Sequence, residues 1–303
     1  MKEARPMIHR LSAAVVVALA ALPAVSIAQQ AGTLDKVKSS GSITVAYRES
    51  SIPFSYLGSD GKPTGFGWEV CGRIVERVKQ ETGRADLKVA TQAVTSQNRI
   101  PLLQSGTIDI ECGSTTNNSE RGKQVAFSIN YFYTGTRLLV KGGSPIKTFA
   151  DLKGKRVVST TGTTNFQVLR ALNADRGLGF ELIGAKDHAE SMLVVQQGRA
   201  DAFGMDDILL FGLRANAQNP AEWAVVGESV QVEPYSIMLR RDDPAFKKLV
   251  DDTVADLMRS GEFVTLYKKW FESAIPPRGT NLGAPMSKEL QDNIKALSDK
   301  PAV

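Results

Sequence analysis

The sequence predicts an α/β chain folded as two hinged lobes, each a mostly parallel sheet flanked by helices. Three observations carry this. Short strand patterns alternate with helical ones along most of the 303 residues, the alternation comes in two series, and the chain passes between the series twice. Parallel neighbours need a long crossover, and a helix on the face of the sheet supplies it.

The N-terminus reads as a leader. Lys2, Arg5 and Arg10 precede an apolar run from Leu11 to Ile27, and Ser26-Ile27-Ala28 puts small residues where a signal peptidase cuts. The run is shorter than the roughly 20 residues that span a bilayer and contains Pro23. A lipid anchor is not expected either, since the first cysteine is Cys71. The reading is therefore a signal peptide over residues 1–28, a mature chain from Gln29, and a periplasmic location.

In the first series, Ile43–Tyr47 is a buried strand. Gly67 to Gln80 is a helix with Val70, Ile74, Val75 and Val78 on one face. Leu87–Ala90 is a second strand, Asn98–Gln104 a short helix with Ser96 as its N-cap, and Ile108–Cys112 a third strand. A polar turn and a helix near Glu120 follow. The second series comprises strand Lys155–Val158, helix Thr164–Asn173, a strand at Phe180–Ile183 and helix His188–Gln197. Strand Ala200–Met205 and helix Asp207–Ala215 complete it. Met238–Arg240 is a late strand, and Pro244–Lys269 gives two amphipathic helices.

Segments 137–143 and 228–235 are read as the two hinge crossings. They bound a discontinuous first lobe of residues 29–136 plus 236–275 and a second lobe of residues 144–227. Residues 276–303, with Pro276, Pro277 and Pro285 and a helical stretch near Ser287–Leu297, read as a peripheral appendage. In open α/β sheets a ligand sits at the carboxyl ends of the strands, which here places it between the lobes.

Composition excludes several functions. The formal charge of +5 drops to +3 without the leader, and no block of basic residues forms the clustered face that nucleic acid requires. His188 is the single histidine beyond the leader, and no CxxC, HExxH or Cys/His cluster occurs, so neither a metal nor a cofactor is expected. Cys71 and Cys112 are either a disulfide, which an oxidising compartment permits, or two buried thiols. No GxSxG, Cys/His pair or paired carboxylates suggests catalysis.

Two segments share one texture. Gly113-Ser-Thr-Thr-Asn-Asn-Ser-Glu-Arg121 and Thr160-Thr-Gly-Thr-Thr-Asn165 each follow a strand and open a helix. Free N–H groups at a helix start, with hydroxyls beside them, make an anion site, and a single such segment would ordinarily be only a cap. Two matched segments, one carrying Arg121, point to a carboxylate-bearing ligand held from both lobes.

These residues also carry a resemblance. The run Arg48-Glu-Ser-Ser-Ile-Pro-Phe-Ser, with Thr95-Ser-Gln-Asn-Arg-Ile-Pro-Leu-Leu, Glu111-Cys-Gly-Ser-Thr-Thr-Asn-Asn and Ala185-Lys-Asp-His188, resembles the polar amino-acid solute-binding proteins of ABC importers (family 3). Among them it is nearest the glutamate- and aspartate-binding branch. The similarity spans about Thr33 to Pro277. It implies the hinged type II periplasmic-binding-protein fold, a monomer, a membrane permease as partner, and L-glutamate or L-aspartate as ligand.

Carried over position by position, the resemblance puts the ligand α-carboxylate on Arg121, with Ser114, Thr116 and Thr164 around it, and the α-ammonium on Asp206. It puts the side-chain carboxylate near Arg48, Arg99, Ser96 and His188. A guanidinium suits a carboxylate as a two-pronged donor. Arg48, Arg99, Arg121 and Asp206 sum to +2, which suits an acidic ligand better than a neutral one, since unpaired buried charge is costly. Two alternatives stay open: a polar neutral amino acid as ligand, or an enzyme like the periplasmic dehydratases that share this fold. Asn165-Phe166 and Gly67-Trp68 depart from the family pattern at the expected cleft. A ligand-sensing role would differ only in the downstream partner.

Overall fold

The computed structural model describes residues 32–302 together with Met1 and Glu3, so the expected leader over 1–28 otherwise lies outside the described residues. Two five-stranded sheets dominate, and they have the same plan. In the first, the order is Lys88–Ala93, Ser42–Tyr47, Ile110–Glu111, Met238–Arg240, Val125–Phe127. In the second it is Glu181–Ala185, Arg156–Thr160, Ala202–Asp206, Thr136–Lys141, Trp223–Val226. The first three strands of each sheet are parallel, and the fourth runs antiparallel to both its neighbours.

That fourth strand is where the chain changes sheet. Thr136–Lys141 follows Val125–Phe127 of the first sheet yet pairs in the second, while Met238–Arg240 returns to the first. The expected first hinge at 137–143 is corrected accordingly. Residues 136–141 are bonded on both edges, to Ala202–Asp206 and to Trp223–Val226, and so belong to the second sheet. The crossing lies one element earlier, in an antiparallel ribbon of Phe132–Thr134 against Glu233–Tyr235. The second expected segment, 228–235, overlaps that ribbon.

Packing explains why the ribbon sits where it does. Phe54 lies at the centre of a ring cluster, with centroids 4.8 Å from Phe132, 5.1 Å from Tyr235 and 5.4 Å from Phe271. Edge-to-face pairs of this kind add about 0.5–1.5 kcal/mol each beyond the area they bury. Helix Phe66–Thr82 buries Val70, Ile74, Val75 and Val78 as its periodicity requires, and pairs with helix Pro244–Ser260 over the first sheet.

Other elements differ from expectation. Helix Thr33–Ser40 has no sequence counterpart above; it is anchored by Thr33 N–H donating to Asp243 and by Lys36 against Asp109. Ser96 is not an N-cap. Asn98 takes that position for helix Arg99–Gln104, and the Ser96 hydroxyl turns elsewhere.

The C-terminal segment is no peripheral appendage. Helix Lys288–Ala296 buries Leu290, and Asn293 Nδ2 donates to the Asn130 carbonyl at 2.7 Å. Asn117 Nδ2 donates to the Asp299 carbonyl at 2.8 Å, Asn130 Nδ2 to the Lys300 carbonyl at 2.8 Å, and Ala302 bridges Asn118. The segment also reaches the second sheet's helix Asp207–Asn216, where Thr280 donates to the Ala215 carbonyl. Buried amides take backbone partners because an unmade bond there costs more than a made one gains, and the tail supplies those partners.

Cys71, on helix Phe66–Thr82, is disulfide-bonded to Cys112 just past strand Ile110–Glu111, with Cα atoms 5.8 Å apart. The link closes a separation of 41 residues, for which restriction of the unfolded chain predicts about 2–4 kcal/mol. The double variant Cys71→Ser, Cys112→Ser is expected to lose that much stability in urea titrations read by circular dichroism. An unchanged midpoint would show that the link contributes nothing.

Candidate functional site

A nearly closed cavity of about 10 Å3, the space of a single water, lies between the carboxyl ends of the two sheets. Ser96, Arg99, Ser114, Thr116 and Arg121 line it from the first sheet's side, and Thr163, Thr164, Asn165, His188 and Asp206 from the second. Eight of the nine expected binding residues are among these. The exception is Arg48, which stands one layer back and donates from Nη2 to Ser96 Oγ at 3.0 Å and towards His188 Nε2 at 3.4 Å.

Each side chain is placed by a strand end or a helix start. Arg99 opens helix Arg99–Gln104 and is buried. Ser114 and Thr116 follow strand Ile110–Glu111, and Arg121 sits on the short helix Ser119–Gly122, whose cap is Asn118 Oδ1 accepting the Arg121 N–H at 2.9 Å. Helix Thr164–Asp175 starts with Thr163 as its cap, and its first N–H groups have no intrahelical acceptor. Asp206 ends strand Ala202–Asp206. Asp207 faces away, accepting from Thr134 Oγ1 and its neighbour's N–H.

The two sides approach closely. Arg121 Nη1 donates to the Thr116 carbonyl at 3.0 Å and Nη2 to the Gly162 carbonyl at 3.1 Å, so one guanidinium joins both sides. Gly162 has φ +77, and a Cβ there would lie 2.6 Å from Gln97 Cα. No side chain fits between these loops, which is why glycine occupies the turn.

The electrostatics are dominated by cations short of partners. Arg99 Nε and Nη1, Arg48 Nη1 and Ser114 Oγ are buried with no hydrogen-bond partner among the described residues. Glu111 Oε1 stands 3.9 Å from Arg99 Nη1, beyond hydrogen-bond reach. Burial and then repulsion from Arg99 lower Arg48 to about 9, and the same two causes lower Arg121 to about 10. Both stay charged at neutral pH, at a cost that an anion in the cavity would relieve.

Asp206 is also buried, accepting from Asn165 Nδ2 at 2.7 Å and from the Tyr235 hydroxyl. Burial first and the nearby Glu233 second push its carboxyl well above the usual range. It holds the N-terminal position of helix Asp207–Asn216 but makes no side-chain cap bond, so its oxygens belong to the cavity side. His188 places Nδ1 2.9 Å from Thr160 Oγ1, while Nε2 faces the guanidinium of Arg48. Arginine only donates, so the proton belongs on Nδ1 and Nε2 accepts.

Two buried carboxylates escaped the sequence reading. Glu111 accepts from Thr115 Oγ1, and Glu233 accepts from both Thr116 and Thr164. Counting both as carboxylates, the +2 expected for the site falls to zero. Glu111 was detectable as an acid at the carboxyl end of the strand Ile108–Cys112. Glu233 lay inside a stretch read only as a connector.

Residues 43–273 match the family described as bacterial extracellular solute-binding proteins, family 3. The chain is 51% identical over 293 residues to the L-glutamate/L-aspartate-binding protein of Pseudomonas aeruginosa, covering 96% of this chain and 97% of that one. It is 50% identical over 269 residues to the glutamate/aspartate import solute-binding protein of Escherichia coli, covering 89% and 88%. Among solved structures, ArgBP from T. maritima superposes with a TM-score of 0.70 at 26% identity, over 79% of this chain and 99% of that one.

The buried imidazole gives a pH signature. Burial first, then Arg48 and Arg99, hold His188 well below its ordinary 6.5, so it is neutral in the fold. Below about pH 6.5 the unfolded chain binds the extra proton and the folded chain does not, so stability falls as pH drops from there toward the depressed folded value. Between about pH 7 and pH 5 the wild type is expected to lose Tm faster than His188→Asn in scanning calorimetry. Parallel curves would mean that His188 protonates freely in the folded chain.

Proposed function

The chain belongs to the bacterial extracellular solute-binding proteins, family 3, and on that footing we propose that it binds L-glutamate or L-aspartate between its two sheets for an ABC importer. The observation that carries the reading is the pair Arg99 and Arg48, buried together beside the cavity with unpartnered N–H groups. Two cations at one end call for a carboxylate beyond the one every amino acid has. Relatives at half identity carry names that state glutamate and aspartate binding, and one states import.

In this reading the side-chain carboxylate meets Arg99 and the Ser96 hydroxyl, whose hydrogen is free because its oxygen accepts from Arg48. Arg48 acts from behind, bonding Ser96 and His188, and so holds both in place. The α-carboxylate meets Arg121 and the open N–H groups at the start of helix Thr164–Asp175, where the helix dipole favours an anion. The α-ammonium meets Asp206. Because contacts come from both sides, binding favours the state in which the sides are together, and the ribbon between the sheets is the element that flexes. Export to the periplasm and delivery to a membrane permease complete the role, and the ligand is carried without chemical change.

Titration calorimetry is expected to show L-glutamate or L-aspartate binding far more tightly than L-glutamine or L-lysine. Arg99→Met is expected to cost the acidic ligands about 2–5 kcal/mol and to spare glutamine, while Arg121→Met weakens all amino acids. Equal losses for glutamate and glutamine in both variants would overturn the assignment of the two ends. Tighter binding of lysine would overturn the ligand class.

A further inference from the structure

Glu233 has no assigned part in the site, and its geometry gives it one. It lies on the ribbon strand Glu233–Tyr235, fully buried, and does not line the cavity. Its Oε2 accepts from Thr116 Oγ1 of the first sheet's side and from Thr164 Oγ1 of the second, and those two hydroxyl oxygens are 3.3 Å apart. Its other oxygen has no hydrogen-bond partner among the described residues.

A threonine hydroxyl has one hydrogen and two lone pairs. With both hydrogens directed at Glu233, Thr116 and Thr164 turn only lone pairs to the cavity they line. Asp206, an acceptor already, stands at the same end. We infer that Glu233 is a positioning residue that sets Thr116 and Thr164 to accept beside Asp206, and so makes a cationic, hydrogen-donating group on the ligand obligatory. The inference rests on the proposed acidic amino-acid ligand and deepens it. Glu233 selects α-amino dicarboxylates against dicarboxylates of the same length that lack the amine.

The charges around it agree. Glu233 draws on Arg121 and repels Asp206, and both effects strengthen a demand for positive charge at this end. A ligand with no amine would set its own carbon or oxygen against two threonine lone pairs and a carboxylate, and would leave them without donors. Sites built to receive a polar group reject analogues that lack it for this reason.

The test compares two ligands in two proteins by titration calorimetry: L-glutamate and glutarate, against wild type and Glu233→Gln. The amide keeps the shape, loses the charge, and can hand a hydrogen to one threonine, freeing that hydroxyl to donate into the cavity. Wild type is expected to prefer glutamate strongly, and Glu233→Gln to narrow the glutamate-to-glutarate ratio by at least about tenfold. A general structural weakening would lower both affinities together. An unchanged ratio therefore overturns the inference, whether or not the affinities themselves fall. Should Glu233→Gln not fold, Thr164→Val, which removes one hydroxyl and leaves the charge, is expected to narrow the ratio in the same direction, and an unchanged ratio there overturns it equally. Failure of wild type to bind glutamate at all would instead overturn the ligand assignment beneath it.

Discussion

Three guanidinium groups, Arg48, Arg99 and Arg121, are buried around one site, and Arg99 makes the charged form of the other two costlier. Desolvated like charges are among the most expensive arrangements a fold contains unless something negative answers them. Much of the surrounding structure is that answer. Glu111 and Glu233 supply internal charge, backbone carbonyls of Thr116 and Gly162 take the Arg121 fork, and Ser96 with His188 engages one arm of Arg48. What is left over is the set of unpartnered N–H groups of Arg99 beside the cavity.

The repeated sheet plan explains how so few elements bring these groups together. Each sheet has three parallel strands, and the loops leaving their carboxyl ends carry Ser114, Thr116, Thr164 and Asp206. Inserting one strand from the opposite series into each sheet forces those carboxyl ends to face each other. The ring cluster around Phe54 then joins the ribbon to the first sheet's core, and Tyr235 reaches from that cluster to Asp206. Core packing and ligand chemistry thus share a side chain.

Much of this could be read from the chain itself, for physical reasons. The buried face of helix Phe66–Thr82 follows from its apolar spacing, and the strand cores from short β-branched runs. The polar turns around Thr116 and Thr164 announced themselves by composition and by opening helices. Long-range partnerships did not. Nothing local distinguishes Glu233 in a connector from a solvated glutamate, and only the fold brings it to Thr116, 117 positions earlier. The strand Thr136–Lys141 was read as a hinge because pairing with two strands that come later in the chain leaves no mark on its own residues. Arg48 showed its charge but not its depth.

The C-terminal segment has a consequence for the order in which the molecule acquires its working parts. Asn117 and Asn118 lead directly into the helix that carries Arg121, yet their partners at Asp299 and Ala302 lie about 180 positions further along. Contacts of that separation form late, since a long loop must close before they return any free energy. A nascent chain therefore pairs its local strands before the stretch beneath Arg121 is pinned. That stretch is pinned only once residues 299–302 are in place.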